Sequence, residues 1–279
     1  MKLCVVTATT NFERAEACIR SWGDVKVILS INGNRDFPTF ELGKTIAIYA
    51  DRFLGTVPAF RIGVDYALEH TDADVIACLH DDLELLDPDW QEKVIRHFER
   101  HPSCGLAGFG GAIGLGSADL YKTEYSPMQL ARIGFRSNLV DAEVHGLRSL
   151  LTERVACLDG FSQIGRREFF AGGWRNKALS DEGKLVTRPS KERPWSYLED
   201  HGLVHHFQDG ALGCLSARMG WETWYIPVRC RHYGGQTAVG DRGYHEWALS
   251  KIPQGDQGFW QQSHEISHQL FSDVLPLRV

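Results

Sequence analysis

The stretch Val75–Trp90, VIACLHDDLELLDPDW, decides the fold. Its first five residues, Val75–Leu79, form an apolar run with the length of a buried strand. The run stops at His80, Asp81 and Asp82, and adjacent carboxylates are tolerated best where water or a cation meets them. Because ligands of open α/β sheets sit at the carboxyl ends of the strands, a metal and a phosphate could share a site here. The alternative is a solvated turn before the next helix.

Apolar runs and helical repeats alternate on the N-terminal side of this stretch. A helix capped by Asn11 is predicted after the first strand, and a second helix, with Thr56 as its candidate cap, is predicted before Val75. The order β-α-β-β-α-β favours an α/β fold with a mostly parallel central sheet and helices on both faces. The three strands that precede Val75 are predicted at Leu3–Thr7, Val25–Ile31 and Thr45–Tyr49.

Three segments on the C-terminal side carry further polar residues at the ends of predicted elements. Val155–Gly165 is strand-like but is interrupted at residues 159–160, and His205–Gly220 has a helical apolar stripe. Asp209 lies near the start of that helix, where it could simply complement the helix dipole. Trp221–Val228 is a predicted strand, and His232 follows it as a surface residue or a ligand.

Composition excludes some classes of function. The chain has 279 residues, 43% of them apolar, and a net charge of −6, and without a long basic run nucleic-acid binding has no support. Seven dispersed cysteines without a CxxC pair predict reduced thiols in a cytoplasmic protein. No apolar run reaches the ~18 residues of a membrane span, so we expect any contact with the inner membrane face to be peripheral.

Four motifs in order resemble those of family 2-type glycosyltransferases with the GT-A (Rossmann-like) fold. Gly55–Gly63 is similar to the helix-start segment of that family, and His80–Glu84 resembles its DxD element in a His-Asp-Asp variant. Val155–Phe161 resembles the acceptor-side strand. His206–Asp209, followed by His232, resembles the helix with the catalytic carboxylate and the histidine that follows it.

The resemblance also implies how the chain is divided. Residues 1–236 would form one GT-A catalytic domain. Residues 1–116 would be its nucleotide-sugar-binding half and residues 117–236 a smaller acceptor-binding half. Residues 237–279 would add a C-terminal loop and helix.

The resemblance implies a metal-dependent transfer that inverts the anomeric carbon. Asp82 and His232 would hold a divalent cation, Mn²⁺ or Mg²⁺, and an imidazole ligand favours Mn²⁺. His80 and Asp81 would lie beside the cation on the donor side. Asp209 would act as the general base that takes the proton of the acceptor hydroxyl.

The same resemblance assigns the donor site. Thr7, Ala8 and Thr9 would contact the nucleotide together with Asn32 in the turn after the second strand. Arg61 would contact the donor, although its alternative is an ordinary surface arginine.

On the acceptor side the resemblance implies Asp159, Gly160 and Trp174, with the Trp174 ring stacked on a pyranose face. Tyr233–Arg242, which contains three glycines, is either a lid over the donor or a plain surface loop.

The expected substrates are a nucleotide-diphosphate sugar and a hydroxyl-bearing acceptor, which could be a glycan, a lipid-linked molecule or a small molecule. The alternative is a non-catalytic nucleotide- or sugar-binding module on the same fold. A nucleotidyltransferase would need a basic, glycine-rich triphosphate loop, and Val6–Asn11 contains no lysine or arginine.

Overall fold

The computed structural model describes residues 1–33, 43–116, 132–140, 147–179, 185–189, 192–234 and 242–279. The helices are α1 Phe12–Ser21, α2 Thr56–His70, α3 Trp90–Arg100, α4 Arg167–Phe170, α5 Pro194–Asp200, α6 Gln208–Arg218, α7 Arg242–Lys251 and α8 Gly255–Leu270. The strands are β1 Leu3–Thr9, β2 Lys26–Asn32, β3 Thr45–Ala50, β4 Val75–Leu79, β5 Leu83–Leu85, β6 Cys104–Gly108, β7 Gly110–Leu115, β8 Arg132–Ser137, β9 Leu147–Arg148, β10 Glu153–Arg154, β11 Cys157–Leu158, β12 Ser162–Arg166, β13 Gly173–Leu179, β14 Leu185–Pro189, β15 Glu222–Tyr225, β16 Cys230–His232 and β17 Leu277–Arg278.

An eight-stranded sheet with the order β10-β15-β6-β12-β4-β1-β2-β3 forms the centre of the molecule. Strands β3, β2, β1 and β4 are parallel to one another, as the β-α-β-β-α-β order predicts. Strand β12 lies between β4 and β6 and is antiparallel to both. The mostly parallel α/β sheet is therefore confirmed, with β12 and β10 as the reversed strands.

The two faces of the sheet are covered by separate apolar groups because neighbouring side chains of a strand point to opposite faces. Val6 of β1 and Cys78 of β4 belong to the group covered by α2, α5 and α6. Val5 and Ala77, each one position earlier, belong to the group covered by α1 and α3. Each strand of this central part is thus apolar throughout, as expected for a sheet buried on both faces.

The starts of α1 and α2 differ in how they are capped. Asn11 caps α1 as predicted, because its side chain accepts a hydrogen bond from the Arg14 backbone N–H at 3.0 Å. The prediction that Thr56 caps α2 is wrong. Gly55, with φ 100°, precedes the helix, and Thr56 is the first helical residue. The Thr56 hydroxyl lies 2.8 Å from Nδ1 of His205 instead.

The C-terminal part contains two helices, α7 and α8, where the sequence predicted one terminal helix after a loop. After them, β17 pairs with β7 and returns the chain to the smaller sheet β11-β7-β8-β9. All seven cysteines are buried free thiols. Among the helices of the described ranges, none combines the length and the apolar character required to cross a membrane.

Candidate metal and catalytic site

Strand β4 delivers His80 to the site, and β12 fixes where His80 lies. The His80 backbone N–H donates a hydrogen bond to the Phe161 carbonyl at 3.0 Å. Ser162 pairs with Leu79 in the antiparallel register. The turn that contains Gly160 therefore lies beside the carboxyl end of β4, although 80 residues separate the two in sequence.

A two-stranded ribbon brings His232 to Asp82. Strand β16 runs antiparallel to β5 and pairs His232 with Leu83. The Tyr233 backbone N–H donates a hydrogen bond to the Asp82 carbonyl at 3.1 Å. As a result, Nε2 of His232 lies 3.1 Å from Oδ1 of Asp82.

His80, Asp82 and His232 form a candidate site for a divalent cation, and we call them the metal triad. One ligand atom from each residue lies within 4.8 Å of the ligand atoms of the other two. Nδ1 of His80 is 3.8 Å from Oδ1 of Asp82. Asp82 Oδ1, His232 Nε2 and His80 Nε2 are buried, and none has an aligned hydrogen-bond partner among the residues that the structure describes. Two imidazoles and a carboxylate are a donor set that fits a divalent transition metal.

The charges of the metal triad suit cation binding. Burial raises the pKa of Asp82, but the contact with His232 and the nearby His80 outweigh burial and lower it to about 2. Burial disfavours the charged form of His232, yet Asp82 raises its pKa above the usual value. Burial lowers the pKa of His80 to about 4, so its imidazole is neutral at pH 7 and has a lone pair for a metal.

Asp81 faces a different set of partners from its neighbour Asp82. Its Oδ2 accepts hydrogen bonds from the Thr9 hydroxyl at 2.5 Å and from Nη2 and Nε of Arg14 at 2.7 and 3.0 Å. Burial and the adjacent Asp82 raise the pKa of Asp81 to about 6, against the attraction of Arg14. The sequence pattern did not indicate Arg14, whose position in the first turn of an amphipathic helix is ordinary for a surface arginine.

Asp209 reaches the metal triad across Gly160. A Cβ atom on Gly160 would lie 3.8 Å from Oδ2 of Asp209, 3.7 Å from Nε2 of His80 and 3.3 Å from Nε2 of Gln208. Asp209 is 9% exposed, and its Oδ1 accepts a hydrogen bond from the Gly210 backbone N–H at 2.7 Å. The structure therefore brings together five predicted site residues and adds Gln208 beside them; the five are His80, Asp82, His232, Gly160 and Asp209.

The residue before α6 has a strained backbone. Phe207, with φ 61°, is the one non-glycine residue of the described ranges with a positive φ, a conformation that costs about 1 kcal/mol or more. Its ring packs against Trp260 and His264 of α8, with centroids 4.9 and 5.2 Å away. The two helices that follow the sheet domain thus hold the segment that presents Asp209.

The two preceding histidines are held by the same pair of helices. His206 Nε2 lies 3.0 Å from Oδ1 of Asp256 at the start of α8. The His205 ring lies 4.7 Å from that of Tyr244 in α7. Nothing in the sequence of residues 242–270 indicated this role, because it depends on contacts between distant segments.

The predicted donor residues lie at the ends of β1 and β2 but have mixed surroundings. Thr7 is fully buried, with a hydroxyl that has no hydrogen-bond partner within the described ranges, and Ala8 packs against the apolar group under α2. The Asn32 side chain accepts a hydrogen bond from the Leu54 backbone N–H at 2.8 Å and so supports the segment before α2. Arg61 forms ion pairs with Asp65 and Glu199 (these three residues link α2 to α5). The Arg61 guanidinium is thus engaged by carboxylates of α2 and α5.

The predicted acceptor residues separate into two places. Asp159 lies in the turn between β11 and β12, where its charge raises the pKa values of both His80 and His232. Trp174 lies in β13 and packs against the apolar group under α2. In the described ranges, Trp174 packs under α2, whereas Asp209 faces Gly160. The proposed lid at Tyr233–Arg242 falls largely on residues 235–241, outside the described ranges.

Comparison with known proteins adds evidence on the fold. No protein family and no curated protein sequence matches this chain. Among solved structures, GalNAc-T7 with UDP, GalNAc and Mn²⁺ is similar over 98% of this chain and 57% of its own, with a TM-score of 0.50 and 12% identity. The fold is GT-A. The resemblance stated from the motifs is thereby confirmed at the level of fold, and assignment to family 2 stays a prediction.

Two further similar structures have lower scores. A197 from STIV is similar over 84% of this chain and 86% of its own, with a TM-score of 0.45 and 11% identity. The mannosyltransferase PcManGT from Pyrobaculum calidifontis, in complex with GDP-Man and Mn²⁺, is similar over 96% of this chain and 69% of its own, with a TM-score of 0.42 and 14% identity. The assignment of the fold does not depend on either of these two structures.

Proposed function

We propose that this chain is a metal-dependent glycosyltransferase that moves a sugar from a nucleotide-diphosphate donor to a hydroxyl acceptor with inversion at the anomeric carbon. One observation carries the proposal. The metal triad and Asp209 meet around Gly160 at the carboxyl end of β4, where a GT-A sheet offers its ligand-binding edge. Solvated acidic turns have no reason to converge with two half-buried imidazoles.

The donor set of the metal triad supports a Mn²⁺ ion. His80, Asp82 and His232 would hold it, so that His80 joins the two ligands predicted from the sequence. Two nitrogen ligands favour Mn²⁺ over Mg²⁺, which prefers oxygen donors. When bound, the cation would neutralise the charge of the departing nucleotide diphosphate as a Lewis acid.

Asp209 is the proposed general base. Its Oδ2 borders the same small space beside Gly160 as Nε2 of His80, so a hydroxyl there would be within reach of both the carboxylate and the donor. A single general base would favour direct attack by the acceptor hydroxyl on the anomeric carbon, in line with the departing nucleotide diphosphate. The product would then have the inverted configuration.

The remaining predicted residues complete the proposal. Thr7, Ala8, Thr9 and Asn32 would line the nucleotide site, while Asp81 would be oriented by Arg14 and Thr9 towards donor or metal-bound water. Asp159 and Gly160 would face the acceptor. Arg61 and Trp174 keep their proposed donor and acceptor roles, and both would require rearrangement of their present contacts.

A cytoplasmic location and an acceptor that is a glycan, a lipid-linked molecule or a small molecule remain part of the proposal. The alternative function is a nucleotide- or sugar-binding module without turnover. The two differ in one measurable property. The transferase depends on Asp209 for product formation, whereas the module would bind the nucleotide sugar and leave it intact.

The proposal is tested by a donor screen. The full chain is incubated with UDP- and GDP-sugars and a panel of hydroxyl acceptors, with and without Mn²⁺, and release of the nucleotide diphosphate is measured. We expect Mn²⁺-dependent release that falls by ~10²–10⁴-fold in Asp209→Asn, because a positioned general base contributes that factor. In Asp82→Ala, Mn²⁺ should no longer stimulate release of the nucleotide diphosphate.

Asp74→Asn is the matched control for these variants. Asp74 precedes β4 at the opposite end from Asp82, and its Oδ2 accepts a hydrogen bond from the Lys2 backbone N–H at 2.7 Å. This variant should retain full activity. Full activity in Asp209→Asn would remove the general base from the proposal, and nucleotide-sugar binding without release in every condition would favour the binding module.

A further inference from the structure

The small space beside Gly160 is lined by polar atoms from three separate segments. A Cβ on Gly160 would lie within 3.8 Å of the Gln208 amide nitrogen, the His80 imidazole and the Asp209 carboxylate. Gly160 places no side chain between these three groups, so one small polar group that approaches its Cα can reach all three. We call this space the Gly160 recess.

Gln208 is the member of this set that has no role in the function proposed above. It is 8% exposed, and its Oε1 is buried without a hydrogen-bond partner in the part of the chain that the structure describes. Burial of an amide oxygen without a donor is costly, so such a group is expected to meet a donor from elsewhere. Its position at the start of α6, next to Asp209, places the missing donor at the reaction centre.

We infer that Gln208 is a specificity-determining residue whose side-chain amide, with its nitrogen beside Gly160, hydrogen-bonds a sugar hydroxyl seated in the Gly160 recess. This inference rests on the proposed function. An amide both donates and accepts hydrogen bonds, as a hydroxyl does, so one amide complements one hydroxyl. The hydroxyl belongs either to the donor sugar or to the acceptor, and binding and kinetic measurements separate the two.

A neutral residue at this position has a consequence for Asp209. A carboxylate in place of Gln208 would lie beside Asp209 and repel it, which would raise the pKa of one of the two acids. The amide supplies hydrogen bonds without adding charge. The amide can therefore select a hydroxyl without placing a second negative charge beside Asp209.

The first test needs no ligand. Gln208→Leu removes a buried amide oxygen that has no donor partner among the described residues and keeps a similar volume, so thermal unfolding of the ligand-free protein should shift upward by roughly 2–4 °C. A Gln208 that served only to hold α6 in place would give the opposite sign. A lower unfolding temperature in Gln208→Leu would overturn the inference.

The second test measures binding by calorimetry in the presence of Mn²⁺, with UDP, UDP-glucose, GDP and GDP-mannose as probes. If the hydroxyl belongs to the donor sugar, Gln208→Leu weakens binding of the nucleotide sugar by about tenfold and leaves that of the parent nucleotide unchanged. If it belongs to the acceptor, donor binding and slow donor hydrolysis are unchanged, and the KM for the acceptor rises by about tenfold. Gly160→Ala, which fills the recess, should change the same quantity as Gln208→Leu does, either the affinity for the nucleotide sugar or the KM for the acceptor.

Gln163→Leu is the control, because Gln163 is another buried glutamine with an unpartnered amide atom, located in β12. It should leave all of these binding constants unchanged. The inference is overturned if Gln208→Leu changes neither donor binding nor acceptor KM. Wild-type protein that binds none of the four probes would refute the proposed function and this inference with it, whereas binding that is insensitive to Gln208 would refute the inference alone.

Discussion

Asp81 and Asp82 are adjacent carboxylates, and the structure predicts opposite results when each is replaced by asparagine. Oδ1 of Asp82 lies 3.1 Å from His232, in the metal triad. Oδ2 of Asp81 accepts hydrogen bonds from Thr9 and Arg14 instead. Asp82→Asn should therefore remove a metal ligand, and Asp81→Asn, which has the same change of charge one residue away, is its matched control.

The stability effects follow from the pKa values. Burial opposes ionisation of Asp82, but its contact with His232 lowers the pKa from 3.8 to about 2, so the folded state favours the carboxylate by roughly 2 kcal/mol. This stability is present above pH 4 and is lost as the pH falls towards 2. Burial raises the pKa of Asp81 from 3.8 to about 6, so its charge costs roughly 3 kcal/mol at pH 7. That cost decreases as the pH falls from 6 towards 4.

Two measurements on the metal-free and metal-bound protein check this reasoning. Urea unfolding at pH 7 without metal should show a loss of about 2 kcal/mol in Asp82→Asn and no loss in Asp81→Asn. Titration with Mn²⁺ should show at least ~100-fold weaker binding in Asp82→Asn, since even outer partners of metal ligands typically contribute 10–100-fold. The affinity of Asp81→Asn should change by less than about tenfold.

The result that would refute the reasoning is equal behaviour of the two variants. Equal losses of Mn²⁺ affinity would mean that both carboxylates bind the ion, or that the loss comes from total charge. Unchanged affinity in Asp82→Asn would mean that the three side chains of the metal triad do not form a metal site.

Three other variants test the surroundings of the site, and a fourth serves as a control. Gly213→Ala should lower the unfolding temperature, because its Cβ would lie 2.6 Å from a backbone oxygen of the neighbouring strand segment, and overpacking costs about 1–3 kcal/mol. Gly210→Ala is the control in the same helix, because its Cβ would have its closest contact at 3.5 Å. It should leave stability unchanged or raise it by up to ~1 kcal/mol. Thermal unfolding of the two variants compares them directly. Burial lowers the pKa of His97 to about 4, so the wild-type protein should lose roughly 3 kcal/mol of stability between pH 6.5 and 4, where the unfolded chain takes up a proton and the folded chain does not. His97→Phe should remove this pH-dependent loss, which urea unfolding measured as a function of pH checks. Trp260→Ala removes the ring that packs on the strained Phe207 before α6. It should lower kcat by about tenfold or more and change the Mn²⁺ affinity little. A parallel loss of Mn²⁺ binding would mean that the whole site had been disrupted.

Much of the fold could be predicted from the sequence because the signals are local. Val57, Phe60, Val64 and Leu68 recur at helical spacing in the sequence, and all four are buried on α2. The capping role of Asn11 was predicted from residue type and position and is confirmed. Such features depend on neighbours within a few residues, so periodicity and side-chain chemistry report them directly.

The wrong or missing predictions involve partners far away in sequence. Thr56 has the residue type of a cap, but its hydroxyl contacts His205, 149 residues later. Arg14, Gln208 and Trp260 are ordinary residues of amphipathic helices until the fold places them beside Asp81, Gly160 and Phe207 (three positions on other segments of the chain). No local pattern encodes these contacts.

The sequence by itself determined the order of strands and helices and the polar residues at their ends, because buried strands must be apolar throughout and cannot end in carboxylates without a partner or solvent. Only the tertiary structure decided which of these polar residues meet. The antiparallel insertion of β12 between β4 and β6 brings Gly160 to His80, and the pairing of β16 with β5 brings His232 to Asp82 rather than to Asp81. Strand pairing depends on contacts across the whole chain, and a shift of one residue would exchange the two carboxylates.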